Sequence, residues 1–246
     1  MKALTGRRMI VVGGSTGIGR GIADAWAAAG ADVLVCSRNR PAGAPHLEWE
    51  RIDVTDPEHA RRGLAGLAAS RVDAACYSAV YYGEKRAYFS DVAEAEWRRQ
   101  LDVNVTGLWL TLRAVLPALR AADPGLFVGV SSEVAFNSGP GRSGYAASKA
   151  AAKGLLDSVA QEEDGAVRVV QVLPAGMVDT PGIRRRRPSD FDYSSYAKPS
   201  SFAAVATDLA VTVGEGRHGQ SLVVDADGDW VSAGDRSPVS QSRVLA

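Results

Sequence analysis

The chain has 246 residues, 46% of them hydrophobic, and its 28 basic side chains balance 28 acidic ones for a formal net charge of zero. Apolar content at that level supplies a sizeable core and excludes a disordered chain. Neutral charge leaves no global field to draw nucleic acid or an acidic membrane, so the composition favours a small-molecule enzyme over a DNA binder, and the length suits one α/β domain.

In chain order, the N-terminal stretch MKALTGRRMIVVGG carries an apolar run too short for a signal peptide, and it flows into glycines instead of a cleavage site. No stretch reaches the roughly 18 apolar residues needed to cross a bilayer, so a cytoplasmic protein is expected. Met9 to Val12 predicts the first strand and Gly17 to Ala29 the first helix, closed by Gly30 as a C-terminal cap. Further strands are predicted over Asp32 to Cys36, Leu47 to Ile52 and Val72 to Cys76, then a long helix over Glu94 to Arg120. Pro124-Gly125 breaks the chain before a strand over Leu126 to Val130. A helix over Ser143 to Gln161 and a strand over Val167 to Leu173 come next. A polar segment from Pro181 to Pro199, a helix to Val213 and a last strand over Ser221 to Val224 complete the pattern.

This alternation predicts βαβ units with right-handed crossovers and a parallel sheet covered on both faces. With no internal repeat or linker, it implies one doubly wound, Rossmann-like α/β domain over residues 1–246. Its polar end, Asp235 to Ala246, is expected to be loosely ordered. Cys36 and Cys76 fall in apolar runs and read as buried thiols, while His46, His59 and His218 read as lone surface residues. No disulfide and no metal site is expected from them.

The first strand runs into Gly13-Gly14-Ser15-Thr16-Gly17-Ile18-Gly19. The glycines permit a tight turn and close approach of a ligand to the backbone, and the helix beginning there offers free N–H groups and the positive end of its dipole. Strand before and helix after make this a pyrophosphate site, the other reading being an ordinary strand-to-helix turn. The second strand ends Cys36-Ser37-Arg38-Asn39-Arg40, without the acid that holds ribose hydroxyls in NAD sites. Arg38 can clamp a 2′-phosphate with two donors and Ser37 can add a hydroxyl, which predicts NADP(H); otherwise Arg38 and Arg40 are surface charges.

Tyr145-Ala146-Ala147-Ser148-Lys149 opens a predicted helix and puts Tyr145 and Lys149 on one face, a turn apart. A nearby ammonium favours the phenolate, so the spacing predicts a lowered tyrosine pKa and a phenol able to act as acid or base near neutral pH.

With that pair in place, the chain from Leu4 to about Ser232 resembles the short-chain dehydrogenase/reductase family. The resemblance rests on Gly13 to Gly19, Asp53-Val54, Leu101-Asp102-Val103-Asn104, Ser131-Ser132, Tyr145 to Lys149, Pro174 to Thr180, and Gly219-Gln220 ahead of Leu222-Val223-Val224-Asp225. It implies that Tyr145 exchanges a proton with the substrate oxygen and that Lys149 holds the nicotinamide ribose. Ser132 would orient the substrate, and Asn104 would order a proton-relay water beside Lys149. Asp53 would contact the adenine, with Val54 beside it. Pro174, Gly176, Met177, Val178 and Thr180 would border the nicotinamide. By the residues alone, Ser131 and Ser132 could be strand-end hydroxyls, Asn104 a helix-face polar group and Asp53 a turn or cap residue.

The chain also departs from the family. Where relatives carry Asn-Asn-Ala-Gly after the fourth strand, it has Tyr77-Ser78-Ala79-Val80, keeping only Ala79 at the cofactor. Val80 cannot take a positive φ cheaply, so a different local path is expected. Pro174-Ala175-Gly176 replaces Pro-Gly, which is expected to displace the nicotinamide edge. Residues 181–199 are read as a substrate lid. It contains Arg184-Arg185-Arg186-Arg187, either a solvated run or an electropositive cover for an anionic substrate.

The leading reading is an NADPH-dependent reductase of a ketone or aldehyde, a cyclic or aromatic one fitting Tyr81, Tyr82, Phe136, Phe191 and Tyr193. The same site run in reverse is an NADP-dependent alcohol dehydrogenase. A non-catalytic NADP(H) sensor is a third reading, but it has no need of Asn104, Ser132, Tyr145 and Lys149 together. The expected partner is a small-molecule carbonyl or alcohol, with no nucleic acid or membrane. The resemblance adds a homo-oligomer, tetramer or dimer, formed through the two long helices.

Overall fold

The computed structural model describes residues 1–68 and 71–235. In chain order the elements are β1 (Arg8–Val12), α1 (Gly17–Ala28), β2 (Asp32–Ser37), β3 (Glu48–Arg51), α2 (Pro57–Ala68), β4 (Ala74–Tyr77), α3 (Glu94–Leu101), α4 (Gly107–Ala122), β5 (Gly125–Val130), α5 (Ser143–Glu163), β6 (Val167–Pro174), α6 (Pro181–Arg184), α7 (Ala203–Val211), β7 (Ser221–Val224) and β8 (Trp230–Ser232). They form one doubly wound, Rossmann-like α/β domain. The sheet has the order β3-β2-β1-β4-β5-β6-β7-β8, and only the β7–β8 pairing is antiparallel. The polar end expected to be loosely ordered lies beyond the described residues, apart from Asp235, which closes a last 3₁₀ turn.

Strand sequence explains the layering. Successive residues of β1 point to opposite faces, and both faces are covered, so the strand is apolar from Met9 to Val12. Met9 and Val11 join a core with Ile22 and Trp26 of α1, Phe202, and Leu209 of α7. Ile10 and Val12 join the other core, with Leu64 of α2, Leu112 and Val115 of α4, and Leu156 of α5. The Trp26 indole donates to the carbonyl of Ala206 at 2.8 Å, which fixes α1 to α7 without leaving a buried donor unpaired. Edge strand β3 carries Glu48, Glu50 and Arg51 in the open.

Three features differ from the expected pattern. Helix α2 was not anticipated, although Asp56 accepts the N–H groups of Glu58 and His59 at 3.1 and 3.0 Å as an N-cap, just ahead of Pro57. The long helix from Glu94 is interrupted by a π turn over Asp102–Thr106. The final strand is β8, reached through a turn in which Asp225 Oδ1 accepts from Asp227, Gly228 and Asp229. The histidines are also not lone: exposed His46 pairs with Asp24 at 2.9 Å, while half-buried His218 bridges the N–H of Val169 and the carbonyl of Ala160. His59 accepts from the Asp53 N–H. Both cysteines are buried, and burial pushes the Cys36 thiol up to about 12.

The chain leaves β1 outward to β2 and β3, then returns to β4 on the other side of β1. The carboxyl ends of β1 and β4 therefore flank the point where the winding reverses, where a crevice opens in sheets of this kind.

Candidate active site

At that crevice the glycine turn is set by close packing. A Cβ on Gly13 would fall on the backbone of Ala79, and one on Gly19 would meet the Gly13 carbonyl and the Ser78 side chain. Ser78-Ala79-Val80 thus still crosses tightly over the turn, and Val80 does so without a left-handed φ, so the expected change of path does not disturb the crossing. Gly17 has φ +61°, a conformation glycine adopts freely. α1 begins with no side-chain cap from Thr16 and no acid in its first turn. Its first N–H groups and the positive end of its dipole therefore face the crevice uncompensated, beside Ser15 and Ile18, as an anion site requires. Thr180 packs against Gly17, with its methyl 3.3 Å from where a Cβ would stand.

At the end of β2, Ser37 is buried and its hydroxyl is committed: it donates to the Asn39 carbonyl at 2.9 Å and accepts from the Trp49 indole at 3.2 Å. Arg38 is exposed and close enough to Asp53 to lower its pKa. Burial pushes the Asp53 carboxyl up, but hydrogen bonds from the Thr55 N–H and hydroxyl, with Arg38 and His59, bring it below its ordinary value. The Asp53 side chain is tied to Thr55 at 2.7 and 3.0 Å. Val54 is a core residue, and its side chain lies against Gly107.

Around the ends of β4 and β5, the structure gathers Asn104, Ser132, Tyr145 and Lys149. The π turn carries Asn104 inward, where its amide accepts from the Tyr81 N–H at 2.8 Å and donates to the Tyr81 carbonyl and to Ser148 at 3.0 and 2.9 Å. Ser148 in turn donates to the Tyr145 carbonyl at 2.8 Å, tying the π turn to the start of α5. Such turns interrupt helices frequently at functional sites. Lys149 is buried and donates to the Val130 carbonyl at 2.8 Å; burial lowers its pKa to about 8. Asn104 and Lys149 both line a cavity of about 10 Å³, the order of space one water needs.

Tyr145 departs from the expectation of a lowered pKa. The residue is half-buried, and desolvation of its hydroxyl, with Tyr82 and Glu133 adding to it, holds the phenol well above its ordinary value; Ser132 and Arg142 pull the other way. The lysine one turn away does not offset this, because its ammonium is directed at Val130. Tyr145 packs against Tyr82 with ring centroids 5.2 Å apart. Ser132 donates to Glu133 at 2.8 Å, and Glu133 pairs with Arg142 at 3.2 Å. Glu133 is thus a neighbour of the tyrosine that the sequence did not single out, while Tyr82, expected at the substrate, packs on its ring.

A family model described as short chain dehydrogenase matches residues 7–190. The chain belongs to the short-chain dehydrogenase family. An uncharacterised short-chain type dehydrogenase/reductase of Sinorhizobium fredii is 30% identical over 97% of this chain, which spans only 46% of that relative's length. A hydroxysteroid dehydrogenase (3-alpha or 20-beta) of Mycobacterium tuberculosis is 31% identical over 72% of this chain and 71% of its own. Among solved structures, a Beutenbergia cavernae protein described as an NAD(P)-dependent gluconate 5-dehydrogenase, with NADP bound at low occupancy, superposes with TM-score 0.81 and 30% identity. The match covers 93% of this chain and 99% of that one.

Short-chain dehydrogenases are oxidoreductases that use NAD(P)(H), and the glycine cradle fits such a dinucleotide: a side chain at Gly13 or Gly19 would displace the backbone that forms it. In this short-chain dehydrogenase the β6 end adds Pro174, paired with Val224, and Gly176. Beyond it, Val178 is buried and bridges to Ala197. The inserted Ala175 is absorbed by pairing, its N–H donating to the Val224 carbonyl at 2.7 Å. Residues 181–199 are more ordered than a polar loop: they contain α6, capped by Thr180 and locked by an Arg184–Asp179 pair at 2.6 Å, and a cluster of Phe191, Tyr193 and Tyr196. Among the described residues, no helix is long and apolar enough to cross a membrane.

Proposed function

We propose that this short-chain dehydrogenase is an NADPH-dependent reductase of a ketone or aldehyde, with Tyr145 as the proton donor. The observation that carries the reading is the half-buried Tyr145, whose hydroxyl beside Ser132 is kept protonated by desolvation, one turn from Lys149. A general acid must keep its proton until charge builds on the substrate oxygen, and this phenol does so across the neutral range.

The dinucleotide, when bound, supplies the hydride that adds to the carbonyl carbon. Ser132 holds the carbonyl oxygen, and Tyr145 gives it the proton that completes the alcohol. Lys149 binds the nicotinamide-side ribose, and Asn104 with Lys149 frames the space for a relay water. Gly13, Ser15, Thr16, Gly17, Ile18 and Gly19 hold the pyrophosphate. Asp53, Val54 and Ala79 border the adenosine half, while Pro174, Gly176, Val178 and Thr180 border the nicotinamide. Ser37 is spent on its own loop, so Arg38 is left as the group that meets a 2′-phosphate, which favours NADPH. The segment 181–199 acts as the substrate lid, hinged where Val178 and Ala197 bridge. Trp109, an exposed indole on α4, supports assembly of a homo-oligomer through the long helices.

The test is NADPH oxidation against a panel of cyclic, aromatic and aliphatic ketones and aldehydes. Turnover that depends on one carbonyl class and is faster with NADPH than NADH is expected. No turnover with any of them, or equal use of NADH, would contradict the reading.

A further inference from the structure

The loop after β4 and the segment after β6 face each other across a cavity of about 540 Å³, lined by Glu84, Lys85 and Arg86 on one side and by Met177, Ile183 and Arg185 to Pro188 on the other. Five of these side chains are cationic and one is acidic. Among the described residues, none of the five forms an ion pair, whereas their neighbour Arg184 does, with Asp179. The run of four arginines is therefore not uniform. Arg184 is exposed, paired and laid over the Tyr193 ring, as a solvated residue would be. Arg186 and Arg187 turn inward and are half-buried.

Inside the cavity neither of the two guanidinium groups has a carboxylate partner among the described residues, although Arg187 lies over the Phe191 ring. The Arg187 Nε is buried without a hydrogen bond, while its Nη2 donates to the Tyr196 hydroxyl at 3.2 Å. Arg186 feels burial first, and then the like charges of Arg86 and Arg187, all of which disfavour its charge. Converging, partly desolvated cations without a counter-charge store repulsion that an entering oxyanion relieves, and the planar fork of arginine matches carboxylate and phosphate. Arg186 is also within electrostatic reach of Tyr82 and Tyr145. An anion seated in the cavity would lie beside the proton donor.

We propose that this cavity seats an oxyanionic group, carboxylate or phosphate, on the carbonyl substrate, with Arg86, Arg186 and Arg187 as its principal partners. The proposal rests on the reading of Tyr145 as proton donor in carbonyl reduction, because it places the anion on the molecule being reduced.

Two measurements separate this proposal from that reading. The first compares kcat/KM, at fixed ionic strength, for levulinate, its neutral methyl ester and the phosphate ester of the matching keto alcohol. One of the two anions is expected to exceed the ester by about tenfold or more, the scale of one charge-assisted pair, and whichever does so identifies the group. Arg186→Gln is expected to collapse that ratio toward one. Arg86→Gln, on the opposite and exposed wall, repeats the test should the first variant misfold. The second measurement is calorimetric binding of glutarate and of inorganic phosphate, which offer no carbonyl, to enzyme saturated with NADP⁺. Saturable binding of one of them, weakened about tenfold by Arg186→Gln, supports the anion seat even if no ketone is reduced, in which case the reductase reading alone falls. Ketone reduction with a ratio near one in the wild type overturns the anion seat and leaves the reductase reading standing. Absence of glutarate and phosphate binding, or displacement of both by NADP⁺, also overturns it.

Discussion

Residues 13–19 and residues 181–199 border the same crevice but are held in place differently. The glycine turn is fixed from beneath, since a side chain at Gly13 or Gly19 would run into the Ser78-Ala79 backbone or the turn itself. The later segment is held by its own neighbours: the backbone N–H groups of residues 183–187, Phe191 and Tyr196 bond to carbonyls three or four residues back, and the Ala197–Met177 and Asp179–Ala197 bonds join its two ends. The first region offers main-chain atoms to a ligand, the second arginine and tyrosine side chains. A group common to a family can be met by a rigid backbone, and that backbone leaves a glycine pattern in the sequence. A group particular to one enzyme is met by side chains on a segment free to be re-formed, and those leave no fixed spacing.

Separating chemistry from binding sharpens the contrast most. Tyr145→Phe keeps the ring against Tyr82 and removes the proton, so kcat is expected to fall by roughly 10²–10⁴-fold, while NADPH binding followed by fluorescence stays near wild type. Turnover within about tenfold of wild type would remove Tyr145 from its role.

The next effect comes from the charge buried on the rigid side. Lys149 has a pKa of about 8 in the fold against an ordinary 10.5, the cause being burial. Between those two pH values the unfolded chain binds a proton that the folded chain does not, so stability rises with pH through this window and is lost as pH falls through about 8. At about 1.4 kcal/mol per pH unit, the window is worth on the order of 3 kcal/mol. Urea unfolding of the cofactor-free enzyme should show that much more stability, relative to Lys149→Met, above the window than below it. A pH-independent difference between the two proteins would contradict the buried charge.

Arg38→Ala probes the exposed side chain proposed to meet the 2′-phosphate. It should lower kcat/KM for NADPH by roughly 30-fold, about 2 kcal/mol after screening, and change NADH little. Equal losses for both cofactors would place Arg38 away from the 2′-phosphate. The smallest effect is dynamic. Amides of residues 183–196, held by local bonds alone, should exchange faster than those of β1 and α1, and should slow when substrate is added. Protection equal to that of β1 in the free enzyme would erase the contrast between the two regions.

Much of the fold was legible because apolar strands and capped helices write themselves locally. β1, β2, β5, β6 and β7 lie within a residue or so of where their apolar runs place them. α2 was legible too, in Asp56 ahead of Pro57 and in Ala60 and Leu64 one turn apart, but its many polar residues hid the apolar stripe. The Asp225-Ala226-Asp227-Gly228 turn likewise announced β8. The π turn was not legible, since it is bound through Asn104 to Tyr81 and Ser148, 23 and 44 residues away. Tyr145 and Lys149 could be found by their spacing, but not the direction of the tyrosine pKa, which depends on how deeply the fold buries the hydroxyl and where it sends the ammonium. Nor could four consecutive arginines reveal which of them turn inward; Arg187 does so against the Tyr196 hydroxyl and the Phe191 ring, nine and four residues on.

The central claim is that hydride passes to a carbonyl carbon while Tyr145 supplies the proton. Its most direct test uses NADPH carrying deuterium at the transferable position, with a ketone that the wild type reduces and with the Tyr145→Phe variant alongside. Deuterium on the carbinol carbon of the product, one atom per NADPH consumed, with formation nearly abolished in the variant, is the predicted result. Product without deuterium, or equal deuterium transfer by the variant, would contradict it.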